Sequence, residues 1–185
     1  ISIKNNHSIK NILEIGTYDG YNALILARLF PNSTIDTIDL PMNESCSINN
    51  YNKNDKNFFK KRSNLLSKAN NINFIQLNSI KLINHQKKYD LIWVDGDHYY
   101  PTVCIDIINS LKLINENGLI LCDDVHINAK NINKDKLRYS ADTYEILDIL
   151  SKQNLIKFDL IYKRLSFENI SYENKKKFIA IVKKI

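Results

Sequence analysis

Residues 14–23 read Glu14-Ile15-Gly16-Thr17-Tyr18-Asp19-Gly20-Tyr21-Asn22-Ala23, and this stretch decides the fold. It follows a short apolar run, residues 11–16 (NILEIG), and leads into YNALILARLF, where Ala23, Leu26, Ala27 and Phe30 recur at helical spacing. The unit is strand, turn, helix. Pro31-Asn32 stops the helix, and STIDTIDL then alternates Ile35, Ile38 and Leu40 with polar positions before Pro41, as a second strand does.

Outward from this unit the alternation continues. Residues 41–54 (PMNESCSINNYNKN) are nearly devoid of apolar side chains and read as a loop. DKNFFKKRSNLLSKAN then places Phe58, Phe59, Leu65 and Leu66 on one helical face, and INFIQL at 72–77 is the third strand. A short helix from about Ser79 precedes YDLIWVDGDH, whose unbroken Leu91-Ile92-Trp93-Val94 run suits a strand covered on both faces. PTVCIDIINSLKLINEN is a helix that starts at Pro101 and meets a stop signal at Asn117-Gly118. GLILCDDV is the fifth strand, SADTYEILDILSKQ a helix capped by Ser140, and IKFDLIYKRL and KKFIAIVKKI are two closing strands with no helix between them. The class is therefore α/β: a doubly wound, mostly parallel, seven-stranded sheet in one domain spanning 1–185, Rossmann-like. The expected strand order is 3-2-1-4-5-7-6 with strand seven antiparallel.

Composition narrows the function. The 185 residues are 44% hydrophobic and 25% charged, and no apolar run approaches the roughly 18 residues of a membrane span. A secretory leader is not visible, and the three cysteines (Cys46, Cys104, Cys122) lack metal-type spacing, so a reducing, cytoplasmic setting is expected. The chain opens on Ile1 rather than methionine, which fits a fragment that has lost N-terminal elements. A net charge of +6 and a pI near 9.1 invite a nucleic-acid reading. The lysines are scattered over the edges of elements, however, so nucleic acid is not the expected partner, nor is a membrane. A small molecule is the expected partner, and a homodimer is compatible with the sequence.

In an open parallel sheet, ligands bind at the carboxyl ends of the strands, so the 14–20 turn is the cofactor loop. Gly16 and Gly20 permit a tight turn, and the helix beyond Gly20 offers free N–H groups to an anion. The GxGxxG pattern of dinucleotide sites is absent, since Tyr18 and Tyr21 stand where glycines would fall. Asp39, at the end of strand two, suits ribose hydroxyls and so supports a nucleoside without naming it. Two glycines alone would also fit a plain strand-helix turn.

With these residues in view, ILEIGTYDGYNALILARLF followed by IDTIDL resembles the first motif and second-strand acid of the catechol and caffeoyl-CoA O-methyltransferases, which are class I S-adenosylmethionine-dependent enzymes. The resemblance continues through YDLIWVDGDH and GLILCDDV, across about residues 11–125. It implies S-adenosylmethionine as cofactor, with Glu14, Gly16, Thr17, Tyr18, Gly20, Asp39 and Leu40 around it, Asn78 and Ser79 near the adenine, and Asp95 toward the cofactor amine. The longer Asn-rich loop at 41–54 departs from those families.

The second constellation is acidic. Asp95, Asp97 and His98 follow strand four and Asp123-Asp124 follow strand five, so adjacent parallel strands bring all five to the end that carries the cofactor turn. Four neighbouring carboxylates repel one another, and a divalent cation resolves the conflict. An oxygen-only set (Asp95, Asp97, Asp123, Asp124) suits Mg²⁺, Mn²⁺ or Ca²⁺ rather than Zn²⁺. The alternative is that some of these aspartates cap helices or bind backbone N–H groups. DGDH paired with DD also resembles the metal-dependent O-methyltransferases of macrolide sugars. By resemblance to the catechol-type families, the metal acids are Asp95, Asp123 and Asp124, and His98 stands where those families carry a lysine base. The catalytic expectation is thus His98 and Asp95 acting on a small hydroxylated molecule or sugar, the rivals being a metal-free nucleic-acid or protein methyltransferase and a non-catalytic cofactor-binding module. His126 is expected to be structural or part of a substrate loop, and His7 and His85 to lie at the surface.

Overall fold

β1 (Asn11–Ile15) lies at the middle of a seven-stranded sheet, paired in parallel with β2 (Thr34–Asp39) on one side and β4 (Tyr89–Val94) on the other. The computed structural model describes residues 9–44, 56–127, 140–165 and 176–185. β3 (Ile72–Gln76) extends the sheet beyond β2, and β5 (Ile114–Val125) continues it in parallel beyond β4. β7 (Lys176–Lys184) then runs antiparallel between β5 and β6 (Ile156–Leu165). The order is β3-β2-β1-β4-β5-β7-β6, as the sequence pattern leads one to expect.

Strand alternation decides which face each helix covers. Leu13, Ile15, Ile92, Val94 and Ile120 face one layer, which α3 (Thr102–Leu113) and α4 (Asp142–Lys152) close with Val103, Ile107, Leu113 and Leu147. Ile12, Ile35, Leu91, Leu119 and Leu121 face the other, closed by Leu26 and Ala27 of α1 (Tyr21–Leu29). Each such fully buried aliphatic side chain contributes about 1.5–3 kcal/mol. α2 (Lys56–Leu66) packs beside α1, and a 3-10 helix (Ser79–Asn84) lies against α3. The N-cap of α4 is Ala141, without a side-chain cap, rather than Ser140; Ser140 stands one residue earlier, where its Oγ still accepts from the Asp142 amide at 3.0 Å.

One boundary differs from the sequence reading. α3 ends at Leu113 rather than at Asn117-Gly118, because Ile114 already has extended geometry and pairs with Tyr89. The ladder slips between Tyr89 and Leu91, and a Cβ on Gly118 would come within 2.7 Å of the Ile114 side chain. Gly118 therefore serves a bulge inside β5, where a side chain would not fit.

Candidate functional site

The β1–α1 turn is built from left-handed backbone. Gly16, Tyr18 and Gly20 have φ of 101°, 46° and 89°. The amides of Gly16 and Thr17 both donate to the Ile38 carbonyl, at 2.9 and 3.1 Å, which ties the turn to the end of β2. A Cβ on Gly16 would lie 2.1 Å from the Asp95 carbonyl oxygen, so this glycine allows the ends of β1 and β4 to close on each other. The sequence reading had given it to a ligand; its tightest neighbour is protein backbone. Gly20 heads α1 without a side-chain cap, and Tyr18 and Tyr21 are exposed beside it. Glu14 is fully buried, its carboxylate accepting from Asn22 Nδ2 at 2.8 Å and from Thr37 Oγ1. These features suit an S-adenosylmethionine-like ligand: a glycine turn heading a helix, a buried acid beneath it, and a second acid one strand away.

That second acid, Asp39, has a partner that sequence reading missed. Arg62 of α2 reaches across to Asp39 Oδ2 at 3.0 Å and donates to the Tyr18 carbonyl at 3.3 Å. Asp39 Oδ1 accepts from the Leu40 amide at 2.8 Å. Both members of the pair are buried, and the guanidinium stacks 4.4 Å above the Phe74 ring and also faces Phe58 and Phe59. Burial holds the Arg62 pKa below its ordinary value, against the pull of Asp39. An arginine in the middle of an otherwise apolar helical stripe was the available signal. On the far side, Asn78 Oδ1 caps the 3-10 helix by accepting from the Ile80 amide at 3.1 Å, and the Ser79 carbonyl accepts from Asn109 Nδ2 at 3.0 Å. Both stand at the end of β3, where an adenine contact was expected.

At the ends of β4 and β5 the structure brings Asp95, His98, Asp123 and Asp124 together. His98 Nε2 lies 3.8 Å from Asp95 Oδ1. Burial raises the Asp95 pKa to about 8, reinforced by the charges of Asp123 and Asp124. Burial likewise lowers that of His98 below its ordinary value. Asp97 serves its own turn, Oδ1 accepting from the Tyr99 amide at 3.2 Å, which is the capping role weighed as the alternative. His126 is buried, in keeping with a structural role, and His85 is half-buried, stacked on Tyr89 and hydrogen-bonded to its hydroxyl. His7 and most of the two expected substrate loops (45–54 and 128–138) lie outside the described residues.

The expected divalent ion is not matched by this arrangement. Among the described residues, no group of three His, Cys, Asp or Glu side chains is placed to hold a metal ion. Lys163 Nζ instead lies 2.7 Å from each oxygen of Asp123 and 3.0 Å from Asp124 Oδ1, and Lys177 Nζ pairs with Asp124 Oδ2. Repulsion between the acids is thus relieved by two ammonium groups from the terminal hairpin. Lys163 did not figure in the sequence reading, and Lys177, read there as solvated charge at the edge of an element, is instead buried.

Comparison with known proteins accords with the geometry. A family model described as a methyltransferase domain matches residues 13–125, which contain the turn, Asp39 and both acidic strand ends. A comparison with curated proteins finds no match. Among solved structures, a Klebsiella pneumoniae protein assigned as an O-methyltransferase is similar at 16% identity and TM-score 0.66, over 99% of this chain and 75% of that one. A Staphylococcus aureus protein assigned as a caffeoyl-CoA O-methyltransferase shows 20% identity and TM-score 0.64, over 98% and 78%. The SAH-bound Podospora anserina methyltransferase PaMTH1 shows 19% and 0.60, over 100% and 75%. At these identities the structural likeness speaks for the fold, and the family match supplies the rest: the chain belongs to the methyltransferase-domain family, as a class I S-adenosylmethionine-dependent methyltransferase.

Proposed function

We propose that the chain methylates a hydroxyl oxygen of a small molecule, such as a hydroxylated aromatic or a sugar, with His98 as proton acceptor. The observation that carries this reading is the imidazole of His98 beside Asp95, at the end of the strand that abuts the cofactor turn. S-adenosylmethionine, when bound, supplies the electrophilic methyl group. Glu14, Asp39 and the 16–20 turn are the residues that would hold it, with Thr17 and Leu40 alongside.

At neutral pH the lowered pKa leaves His98 uncharged, and the raised pKa keeps Asp95 largely protonated. An uncharged imidazole can take the hydroxyl proton as the oxygen attacks. Little other covalent assistance is needed, so the larger part of the acceleration comes from holding nucleophile and methyl in line. The same reading has the chain work as one domain in the cytoplasm. Among the described residues, no helix is long and apolar enough to cross a membrane.

The test is methyl transfer to a panel of catechols, sugars and polyketides. His98→Gln is expected to lower kcat by about 10²–10⁴-fold, with S-adenosylhomocysteine affinity unchanged in calorimetry. A variant with full kcat on the accepted substrate would remove His98 from the mechanism.

A further inference from the structure

We propose that the acidic pair ending β5 is a lysine-clamped centre that works without a metal ion, Lys163 and Lys177 supplying the positive charge that a divalent ion would otherwise bring. The proposal deepens the methyltransferase reading and rests on it only where turnover is measured.

The clamp is complete in its own terms. Lys163 Nζ takes both oxygens of Asp123 at 2.7 Å and Asp124 Oδ1 at 3.0 Å, and Lys177 Nζ takes Asp124 Oδ2. All four carboxylate oxygens are engaged, and two ammonium charges balance two carboxylates. A divalent ion seated on these oxygens would meet both ammonium groups at close range, so ion and lysines exclude one another. Lys177 does not leave easily: its side chain is only 5% exposed, and moving it off Asp124 would strand a charge in the interior. Lys163, at 26%, can yield more readily.

The backbone is shaped for this pairing. The β5–β7 ladder breaks register between Cys122 and Val125, which frees Asp123 and Asp124 from regular pairing, and Asp124 adopts a φ of 49°. The β6–β7 ladder breaks register between Tyr162 and Arg164, which frees Lys163, and Arg164 pairs with Lys177. Two irregularities on neighbouring strand pairs thus aim four side chains at one point, and bulges of this kind re-aim side chains at functional sites. Asp95 and His98 stand beside the clamp, so its charge balance sets the field in which a substrate hydroxyl is deprotonated. Lys163 and Lys177 are positioning residues in this scheme.

The experiment measures Mn²⁺ binding to the purified chain by electron paramagnetic resonance, thermal stability with and without Mg²⁺, and turnover in EDTA against Mg²⁺. The native chain is expected to leave free Mn²⁺ unaltered, to show no Mg²⁺-dependent rise in Tm, and to turn over equally in EDTA and Mg²⁺. The double variant Lys163→Met with Lys177→Met, its carboxylates uncompensated, is expected to bind Mn²⁺ and to gain Tm with Mg²⁺. Lys163→Arg should behave as the native chain does. Specific Mn²⁺ binding by the native chain, or turnover lost in EDTA and restored by Mg²⁺, overturns the proposal. A folded double variant that ignores Mn²⁺ overturns it too, and if that variant fails to fold the native-chain measurements decide. Calorimetric titration of the same samples with S-adenosylhomocysteine tests the methyltransferase reading separately, because neither lysine is among the residues proposed to hold the cofactor.

Discussion

Glu14 is 0% exposed at the end of β1, and its carboxylate accepts from Asn22 Nδ2 and Thr37 Oγ1. Thr17 Oγ1 closes the chain on Thr37 Oγ1 at 2.6 Å, and because the Thr37 proton is committed to Glu14, Thr17 is the donor. Burial pushes the Glu14 pKa up to about 7, the two donors notwithstanding. The folded state therefore holds this proton more tightly than the unfolded chain, whose value is 4.5. The stabilisation is fully present below the unfolded value and is lost as pH rises through about 7, a change of about 3 kcal/mol. Glu14→Gln keeps the volume and the acceptor while removing the titration. Its unfolding free energy, measured in urea at stepped pH, should lack this fall, and above pH 7 the variant should be the more stable form. A variant profile parallel to the native one would show that Glu14 does not titrate in this range. The turn at Gly16 and Gly20 was legible in the sequence because it is local and its φ > 0 positions call for glycine, whereas Glu14 was named only through the family resemblance. What Gly16 touches was not legible, since Asp95 arrives from another strand.

At the scale of elements, α2 shows where periodicity stops informing. Its stripe of Phe58, Phe59, Leu65 and Leu66 was legible at helical spacing, and Leu66 is indeed buried. Arg62, the other buried residue of this helix, is held there by Asp39, 23 residues earlier; its position in the apolar stripe marks it as unusual, but nothing local names its partner. Removing one member of a buried ion pair leaves the other uncompensated, typically at a cost of about 3–5 kcal/mol. Arg62→Met should therefore destabilise the fold by an amount in that range, and adding Asp39→Asn should recover much of it. A double-mutant cycle in denaturant checks this, and additive effects would mean that the two side chains act independently. The start of β5 is a similar case: Asn117-Gly118 has the composition of a helix stop, and only the close approach of Ile114 shows that the glycine belongs to a strand bulge.

For the molecule as a whole, the terminal hairpin is the element on which the rest depends. Its strandedness was legible, because two alternating runs follow each other without a helix, and so was its place beside β5. Its register was not, and the lysine clamp follows from register: Cys122 faces Ala180 and Val125 faces Phe178, which brings Lys177 to Asp124 across 53 residues. The hairpin also contributes Ile156, Ala180 and Val182 to the buried layer under α4. A chain ending at Gln153 would leave β5 as an open edge, with its ladder unpaired and its two aspartates without counterions. Such a chain should lose cooperative unfolding altogether rather than melt at a lower midpoint, because the core layer and the charge balance fail together. Trp93, the single tryptophan, lies in β4 next to β5 and reports the transition by fluorescence in urea. A shallow, non-sigmoidal curve for the shortened chain is the expected result. A cooperative transition close to that of the full chain would mean that β1 to β5 fold as a unit and that the hairpin is an appendage, with the clamp assembled only after folding.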